Sequence, residues 1–265
     1  MMPSVFVRYP QLLTLRGKVP DAIIEAEVGE KAPRFEEYAA KAREIIPLAR
    51  LCDVFPTELE SGRIMLENFL GFWGNITIEE VCKIALIAAW LKPRQVFEFG
   101  TYNGMTTRQI ALNTPADCTI TTMDVDPASP QVAQLDIGAV DRHLAQKIGA
   151  FNVRVGAYFA RTAEAARIRQ ILGDSLTLDA EPYRGQMDLV FIDAGHTYRY
   201  VNSDTKNALN MIRPGGVILW HDYMQVLHPD VTQYLVQLAK EGLKIYHLRG
   251  TSLAVCCAAS VRTHD

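Results

Sequence analysis

The sequence predicts an α/β protein built on an open, mostly parallel sheet, preceded by a helical extension. Three observations carry this. From Gln95 onward, short apolar runs alternate with helix-compatible stretches in the rhythm of βα units. The runs DLVFI (188–192) and GVILW (216–220) are almost continuously apolar, as suits parallel strands buried on both faces. The chain then changes character. LKIYHLRG (243–250) and TSLAVCCAA (251–259) are two β-rich runs meeting at Arg249-Gly250-Thr251, and they read as an antiparallel hairpin.

Taken in order, residues 1–74 read as an amino-terminal helical extension and residues 75–265 as the α/β domain. In the extension, helical patterns such as FEEYAAKAREIIPLARL alternate with Pro10, Pro20, Pro33, Pro47 and Pro56, which should break the helices. No period-2 strand pattern is evident there. NITIEEVCKIALIAAWLKP follows as a helix, with Asn75 or Thr77 at its start and Glu79 and Glu80 in its first turn. Pro93 should stop it. The predicted strands are QVFEF, CTITTMDV, IRQILGD, MDLVFID and GGVILWHD. The stretch 128–157 is long for one βα connection, and segments of that size are usually functional or carry helices of their own.

Composition narrows the class. A chain of 265 residues that is 49% hydrophobic can bury one large core. Its net charge of -3 lacks the basic face of a nucleic-acid binder. The longest apolar stretch, IALIAAWL, is too short to span a bilayer, and MMPSVFVRYPQLLTLRGK does not have the pattern of a secretory signal. The five cysteines (Cys52, Cys82, Cys118, Cys256, Cys257) are odd in number and lack C-x-x-C spacing, so they read as small apolar residues in a reducing compartment. A cytoplasmic protein is expected, with neither nucleic acid nor membrane as partner.

The stretch VFEFGTYNGMTT (96–107) carries the most functional information. An apolar run containing Glu98 breaks into a loop with Gly100 and Gly104, and a helix-compatible segment follows. Such a loop leaves backbone N–H groups at the carboxyl edge of a sheet, where open α/β proteins bind nucleotides. Further on, TITTMDVDP brings Asp124 to a second strand end, placed to accept hydrogen bonds from both ribose hydroxyls of an adenosine moiety. Asp174 and Ser175 end the third strand, either as a polar contact to adenine or as an ordinary turn.

Asp193 ends the fourth strand, His196 lies three residues later, and His221 and Asp222 end the fifth. Neighbouring strand ends lie about 5 Å apart, so Asp193 and Asp222 can converge. Two converging carboxylates repel unless a cation sits between them, and Mg²⁺ or another divalent metal is the economical solution. His221 would suit Zn²⁺, Mn²⁺ or Fe²⁺ better. The alternative is that Asp222 only hydrogen-bonds the loop around His196. With an ordinary pKa near 6.5, His196 is the candidate general base. His143, His228, His247 and His264 lack such neighbours in sequence and read as structural or surface residues. Tyr198, Tyr200 and Tyr223 could line an acceptor pocket or simply pack.

FEFGTYNGMTT, TTMDVDP, ILGDS, FIDAGHTYRYVNSDTKNALNMIRPGGVILWHDY and the terminal hairpin together resemble class I S-adenosylmethionine-dependent methyltransferases. More narrowly, they resemble the small-molecule O-methyltransferase branch that includes macrolide-sugar methyltransferases. The resemblance runs from Ile78 to Ala258, and its most specific part is the fourth motif. It implies a Rossmann-like, mostly parallel sheet of seven strands with a reversed carboxyl-terminal strand. It implies S-adenosylmethionine as cofactor, held by Glu98, Gly100, Thr101, Asn103, Gly104, Asp124, Asp174, Ser175 and Asp193, with Glu98 orienting the amino acid end. It also implies O-methylation of a small-molecule hydroxyl, with His196 and Asp193 catalytic and a divalent metal on Asp193, His221 and Asp222.

The loop G-T-Y-N-G departs from the usual G-x-G-x-G, with Tyr102 where a small residue often sits. The same departure argues against a nicotinamide-dependent oxidoreductase, whose fingerprint needs a close-approach glycine there. Intact acids at Glu98, Asp124, Asp193 and Asp222 argue against an inactive binding module of the same fold. The acceptor is not encoded in any motif; the extension and the connection after Asp126 are where substrate choice should reside. Whether the extension builds a homodimer is left open.

Overall fold

The computed structural model describes residues 4–15, 18–69, 74–126, 129, 132, 135–150 and 154–258, with the side chains of 4 and 148–150 excluded. One sheet contains β1 (Leu48–Ala49), β2 (Gln95–Phe99), β3 (Thr119–Asp124), β4 (Ile168–Leu172), β5 (Met187–Ile192), β6 (Ile212–Trp220), β7 (Tyr246–Leu248) and β8 (Ala254–Cys257). Their spatial order is β1-β7-β8-β6-β5-β2-β3-β4. Strands β2 to β6 run parallel to one another. The last strand, β8, lies antiparallel between β6 and β7, which is the predicted hairpin and reversal.

Alternation along the strands explains why the sheet needs helices on both faces. Val96, Ile120, Leu189, Phe191, Val217 and Leu219 pack on one side. They meet Ile84 and Ile87 of α4 (Ile78–Leu91) and Ile110 of α5 (Met105–Leu112). Phe97, Phe99, Val190, Ile192, Ile218 and Trp220 point the other way. They meet Val201 and Ala208 of α7 (Tyr198–Met211) and Leu235 of α8 (Pro229–Lys240). Each such side chain, once buried, contributes about 1.5–3 kcal/mol.

The remaining helices are α1 (Ser4–Arg8), α2 (Asp21–Ile45), α3 (Leu51–Val54) and α6 (Ala139–Ala150). Helix α2 packs along α8 and against α6. Two expectations about the extension are corrected. Pro33 does not break a helix but lies inside α2. An interior proline costs roughly 3 kcal/mol; burial of Ile24, Val28, Phe35 and Ala39 in one apolar cluster offsets it. The extension also contains a strand. Pro47 ends the helical path, and the next residues run along β7, where His247 N donates to Pro47 O (2.9 Å) and Arg249 N to Ala49 O (2.8 Å). A two-residue pairing is too short to show a period, so the sheet has an eighth strand that the sequence pattern did not signal.

Helix α4 begins in a capping box: Glu80 N donates to Thr77 Oγ1 (3.3 Å) and Thr77 N to Glu80 Oε2 (2.8 Å). Thr77 rather than Asn75 is therefore its cap, and Lys92 in a left-handed conformation ends it before Pro93. All five cysteines are free, with Cys118 and Cys256 buried. Among the described residues, no helix is long and apolar enough to cross a membrane.

Asp188 ties the other edge of the sheet together. It is 2% exposed and accepts hydrogen bonds from Arg94 N (2.6 Å) and Gln95 N (2.8 Å), while Arg213 pairs with its second oxygen. Replacing Asp188 by alanine leaves two backbone donors without a partner, and the expected loss is about 2–4 kcal/mol in urea denaturation. An unchanged midpoint at unchanged slope would show that these bonds contribute nothing.

Candidate active site

The ladder bonds continue one residue past the strands and align their ends. Gly100 N donates to Met123 O (2.8 Å), Gly173 N to Asp124 O (2.9 Å), Asp193 N to Phe99 O (2.8 Å) and His221 N to Ile192 O (3.0 Å). Gly100 has φ +95°, and a Cβ there would lie 2.0 Å from the Asp193 carbonyl oxygen, so only glycine fits between the two strand ends. Tyr102 is also left-handed, at φ 48°. Its strained backbone is held because Tyr102 N donates to Asp124 Oδ2 (2.6 Å) and Tyr102 O accepts from Gly156 N (3.0 Å).

A cavity of about 250 Å³ opens at this edge. Gly100, Asp124, Asp174, Ser175, Asp193 and His196 all line it, together with Tyr102 and Tyr200. Val132, Leu135, Ile137 and Leu144, all from the long connection after Asp126, form an apolar wall. Much of that connection lies outside the described residues.

Four of the predicted cofactor residues sit behind the lining. Thr101 Oγ1 and Thr122 Oγ1 are hydrogen-bonded at 2.7 Å. Asn103 Oδ1 accepts from Met105 N (3.0 Å) and so closes the start of α5. Gly104, at φ +82°, leaves room for Phe159. Glu98 is fully buried, with Oε2 accepting from Thr122 (2.6 Å) and Thr107. Burial pushes its carboxyl up to about 8, against the pull of the two threonines, and Oε1 makes no hydrogen bond. Asp124 is likewise raised by burial, to about 6, although Tyr102 N and Val125 N (2.7 Å) both donate to it.

Around the cavity residues Asp141, Asp193 and His196, acids and imidazoles alternate. His196 Nδ1 lies 3.2 Å from Asp141 Oδ2, and its Nε2 lies 2.9 Å from Asp222 Oδ2. His221 Nδ1 is 3.1 Å from both Asp193 Oδ1 and Asp222 Oδ2, and its Nε2 is 3.3 Å from Glu80 Oε2. Asp222 takes the left-handed conformation (φ 56°), which turns the chain directly after β6. Several of these close approaches lack hydrogen-bond angles: His196 Nε2 and both nitrogens of His221 are buried and make no hydrogen bond.

Electrostatics follows from this alternation. Burial disfavours a charged His196, but Asp141 and Asp222 outweigh it and hold the ring well above 6.5. Burial likewise opposes charge on His221, and Asp193 with Asp222 raise it well above 6.5. The ordinary pKa assumed for His196 is therefore corrected; its two acidic neighbours are remote in sequence from any motif. Burial raises Asp193, whereas Asp222 stays well below the carboxylate range because three histidines surround it. Burial would raise Asp141 and Glu80, yet each is held at about 2, Asp141 by His228 and His196 and Glu80 by His221.

Three members of the site carry no sequence signal of their own. Glu80 reads as a helix-capping acid and is one, but it also binds Ser252 N (2.8 Å) and faces His221. Asp141 sits in the first turn of α6. His228, expected to be structural or superficial, stacks on His196 with ring centroids 3.9 Å apart. Burial and the neighbouring His196 lower it to about 4. His247 Nε2 lies 2.7 Å from Thr251 O, His143 Nε2 is buried, and His264 lies outside the described residues. Tyr198 packs edge-on against Tyr234, and Tyr223 is buried against His247.

Residues 97–223 match a family model described as a methyltransferase domain, just under half of the chain. The matched segment holds the glycine loop, Asp124, Asp174, Asp193, His196, His221 and Asp222. Over these residues the chain is similar to a methyltransferase domain, and the matched segment runs from β2 to the turn after β6.

Among solved structures, an SAH-bound methyltransferase from Podospora anserina is similar at 14% identity, over 96% of this chain and 97% of its own, with TM-score 0.47. An O-methyltransferase from Bacillus cereus in complex with SAH is 14% identical, over 70% of this chain and 84% of its own, with TM-score 0.47. The O-methyltransferase TomG from Streptomyces achromogenes, involved in tomaymycin synthesis and solved with SAM, is 15% identical over 84% and 89%, with TM-score 0.45. Likeness this distant assigns no residue a role. No curated protein matches the sequence.

Beneath Ser175 lies a fully buried acid, Asp204, which burial raises to about 7 although the Ser175 hydroxyl pulls it down. A native state that holds this proton loses stability relative to the unfolded chain as pH rises from about 4 to 7. Asp204→Asn should therefore match wild type below pH 4 and exceed it by a few kcal/mol above pH 7. Urea denaturation at both extremes checks this, and a pH-independent difference would exclude Asp204 as the titrating group.

Proposed function

We propose that the protein is an O-methyltransferase, transferring the methyl group of S-adenosylmethionine to a hydroxyl of a small molecule, with a divalent cation at Asp193 and Asp222. One observation supports the reading: a single cavity is lined by Asp124, Asp174 and Ser175 and also by Asp141, Asp193 and His196. Asp124 would hold the ribose and Asp174 with Ser175 the adenine edge, while Gly100 keeps the backbone low where the cofactor crosses the sheet edge. S-adenosylmethionine supplies a methyl group already activated for transfer. The protein's remaining tasks are to align the acceptor oxygen and to take its proton.

The metal fits the donor set. Asp193, His196 and Asp222 place ligand atoms within 4.8 Å of one another, and His196 Nε2 is buried without a hydrogen bond. A divalent ion there would lower the pKa of an acceptor hydroxyl. His196 borders the cavity and is the nearest base; it must enter turnover neutral, and offsetting the charge of Asp222 is what lowers its pKa. The apolar wall from the connection after Asp126 supports a small, partly apolar acceptor. Free thiols support a reducing, cytoplasmic compartment.

Calorimetry with S-adenosylhomocysteine tests the cofactor. Wild type should bind, and Asp124→Ala should bind about 10- to 100-fold more weakly, the value of one or two charge-assisted hydrogen bonds; a wild type that binds neither S-adenosylhomocysteine nor S-adenosylmethionine overturns the reading. The metal is tested separately. Chelation and Asp222→Ala should each abolish most methyl transfer while leaving S-adenosylhomocysteine affinity within about twofold, because Asp124 is untouched. Full activity in both conditions would leave the transferase standing without its cation.

A further inference from the structure

We propose that Asp141, His196 and His228 form a second cation site, separate from Asp193 and Asp222 and suited to a transition-metal dication such as Zn²⁺ or Co²⁺. Ligand atoms of the three residues lie within 4.8 Å of one another. Asp141 Oδ2 is the common point: His196 Nδ1 is 3.2 Å from it and His228 Nδ1 3.9 Å. The two rings are stacked, 37° from parallel, so both Nδ1 atoms approach the same carboxylate. His228 Nδ1 is buried and makes no hydrogen bond. Two imidazole nitrogens and one carboxylate oxygen are borderline donors that favour Zn²⁺, Co²⁺ or Fe²⁺ over Mg²⁺ and leave coordination positions open.

The ligands arrive from three separate segments, yet two of those segments are anchored by one ion pair from the amino-terminal extension. Glu27 of α2 is 5% exposed, and its Oε2 accepts from Val140 N (2.6 Å), the residue before Asp141. Lys31, one turn on, donates to Glu27 Oε1 (2.5 Å) and to Leu227 O (2.6 Å), the residue before His228. Gly138 makes this approach possible, since a Cβ there would lie 2.1 Å from Glu27 Oε1. Arg34 adds a pair with Asp230 (2.8 Å), two residues past His228. Support of this kind behind a ligand set is what fixes a metal site before the metal binds.

His196 offers Nδ1 to this site and Nε2 to Asp222, so its ring divides the two clusters. A cation on Nδ1 and a proton on the same atom exclude each other. If His196 is the base proposed above, a transition metal here would silence it; the site itself is read by metal binding and does not depend on that role.

The test uses full-length, metal-free protein with saturating Mg²⁺ to occupy the carboxylate pair. Co²⁺ titration, followed by visible absorption and by calorimetry, should show one bound ion per chain. His228→Ala and Asp141→Asn should weaken it at least tenfold, and Asp193→Asn should leave it within about threefold. Circular dichroism verifies that each variant is folded. Independently of the variants, anomalous scattering at the cobalt edge from wild-type crystals should place the ion between Asp141 and His228. No bound Co²⁺, an ion found only at Asp193 and Asp222, or binding lost in Asp193→Asn but kept in His228→Ala, each overturns the proposal.

Discussion

The site depends on the register of β5 between β2 and β6. Two hydrogen bonds, Asp193 N to Phe99 O and His221 N to Ile192 O, bring three strand ends that are remote in sequence onto one edge. The register leaves so little room that Gly100 has to lack a side chain, because the Asp193 carbonyl occupies its place. Asp222 then turns back in a left-handed conformation, and its carboxylate meets both His196 and His221. A slip of one residue in any of these strands would turn every strand-end side chain to the opposite face.

Charge is the second constraint, and it follows from the first. Aligned strand ends put Glu98, Asp124, Asp193 and Asp222 near one another in a partly closed space, where like charges repel strongly. Different solutions appear along the one sheet edge. Glu98 and Asp124 are pushed toward holding their protons by burial. Asp141 and Asp222 stay ionised because imidazoles stand between them. The same edge thus has a proton-holding end at Glu98 and Asp124 and an ionised end at Asp141 and Asp222.

The amino-terminal extension acts on this arrangement from a distance. It adds a short strand to β7, packs α2 along α8, and through Glu27 and Lys31 holds the segments that carry Asp141 and His228. The extension is thus part of the frame around the site, although it touches the cavity only through the residues it anchors.

The sheet, its terminal hairpin, the glycine loop and the strand-end acids were legible along the chain because each is written locally, as an apolar run, a turn residue or an acid where a run stops. Glu98, Asp124, Asp193 and Asp222 could be named without coordinates for that reason. Pro33 inside a helix, the two-residue strand after Pro47, and the approach of Glu80, Asp141 and His228 to the carboxyl edge of the sheet were not legible. None of them has a local pattern: Pro33 is tolerated through burial of α2, and the other residues acquire their roles only from neighbours more than thirty positions away. The protonation of His196 belongs to the same group, since its ring is flanked by acids from α6 and from the end of β6. Local chemistry along the chain determined which groups the protein has to work with; only the three-dimensional packing decided which of them meet, because burial and Coulomb interactions depend on distance in space and not along the backbone.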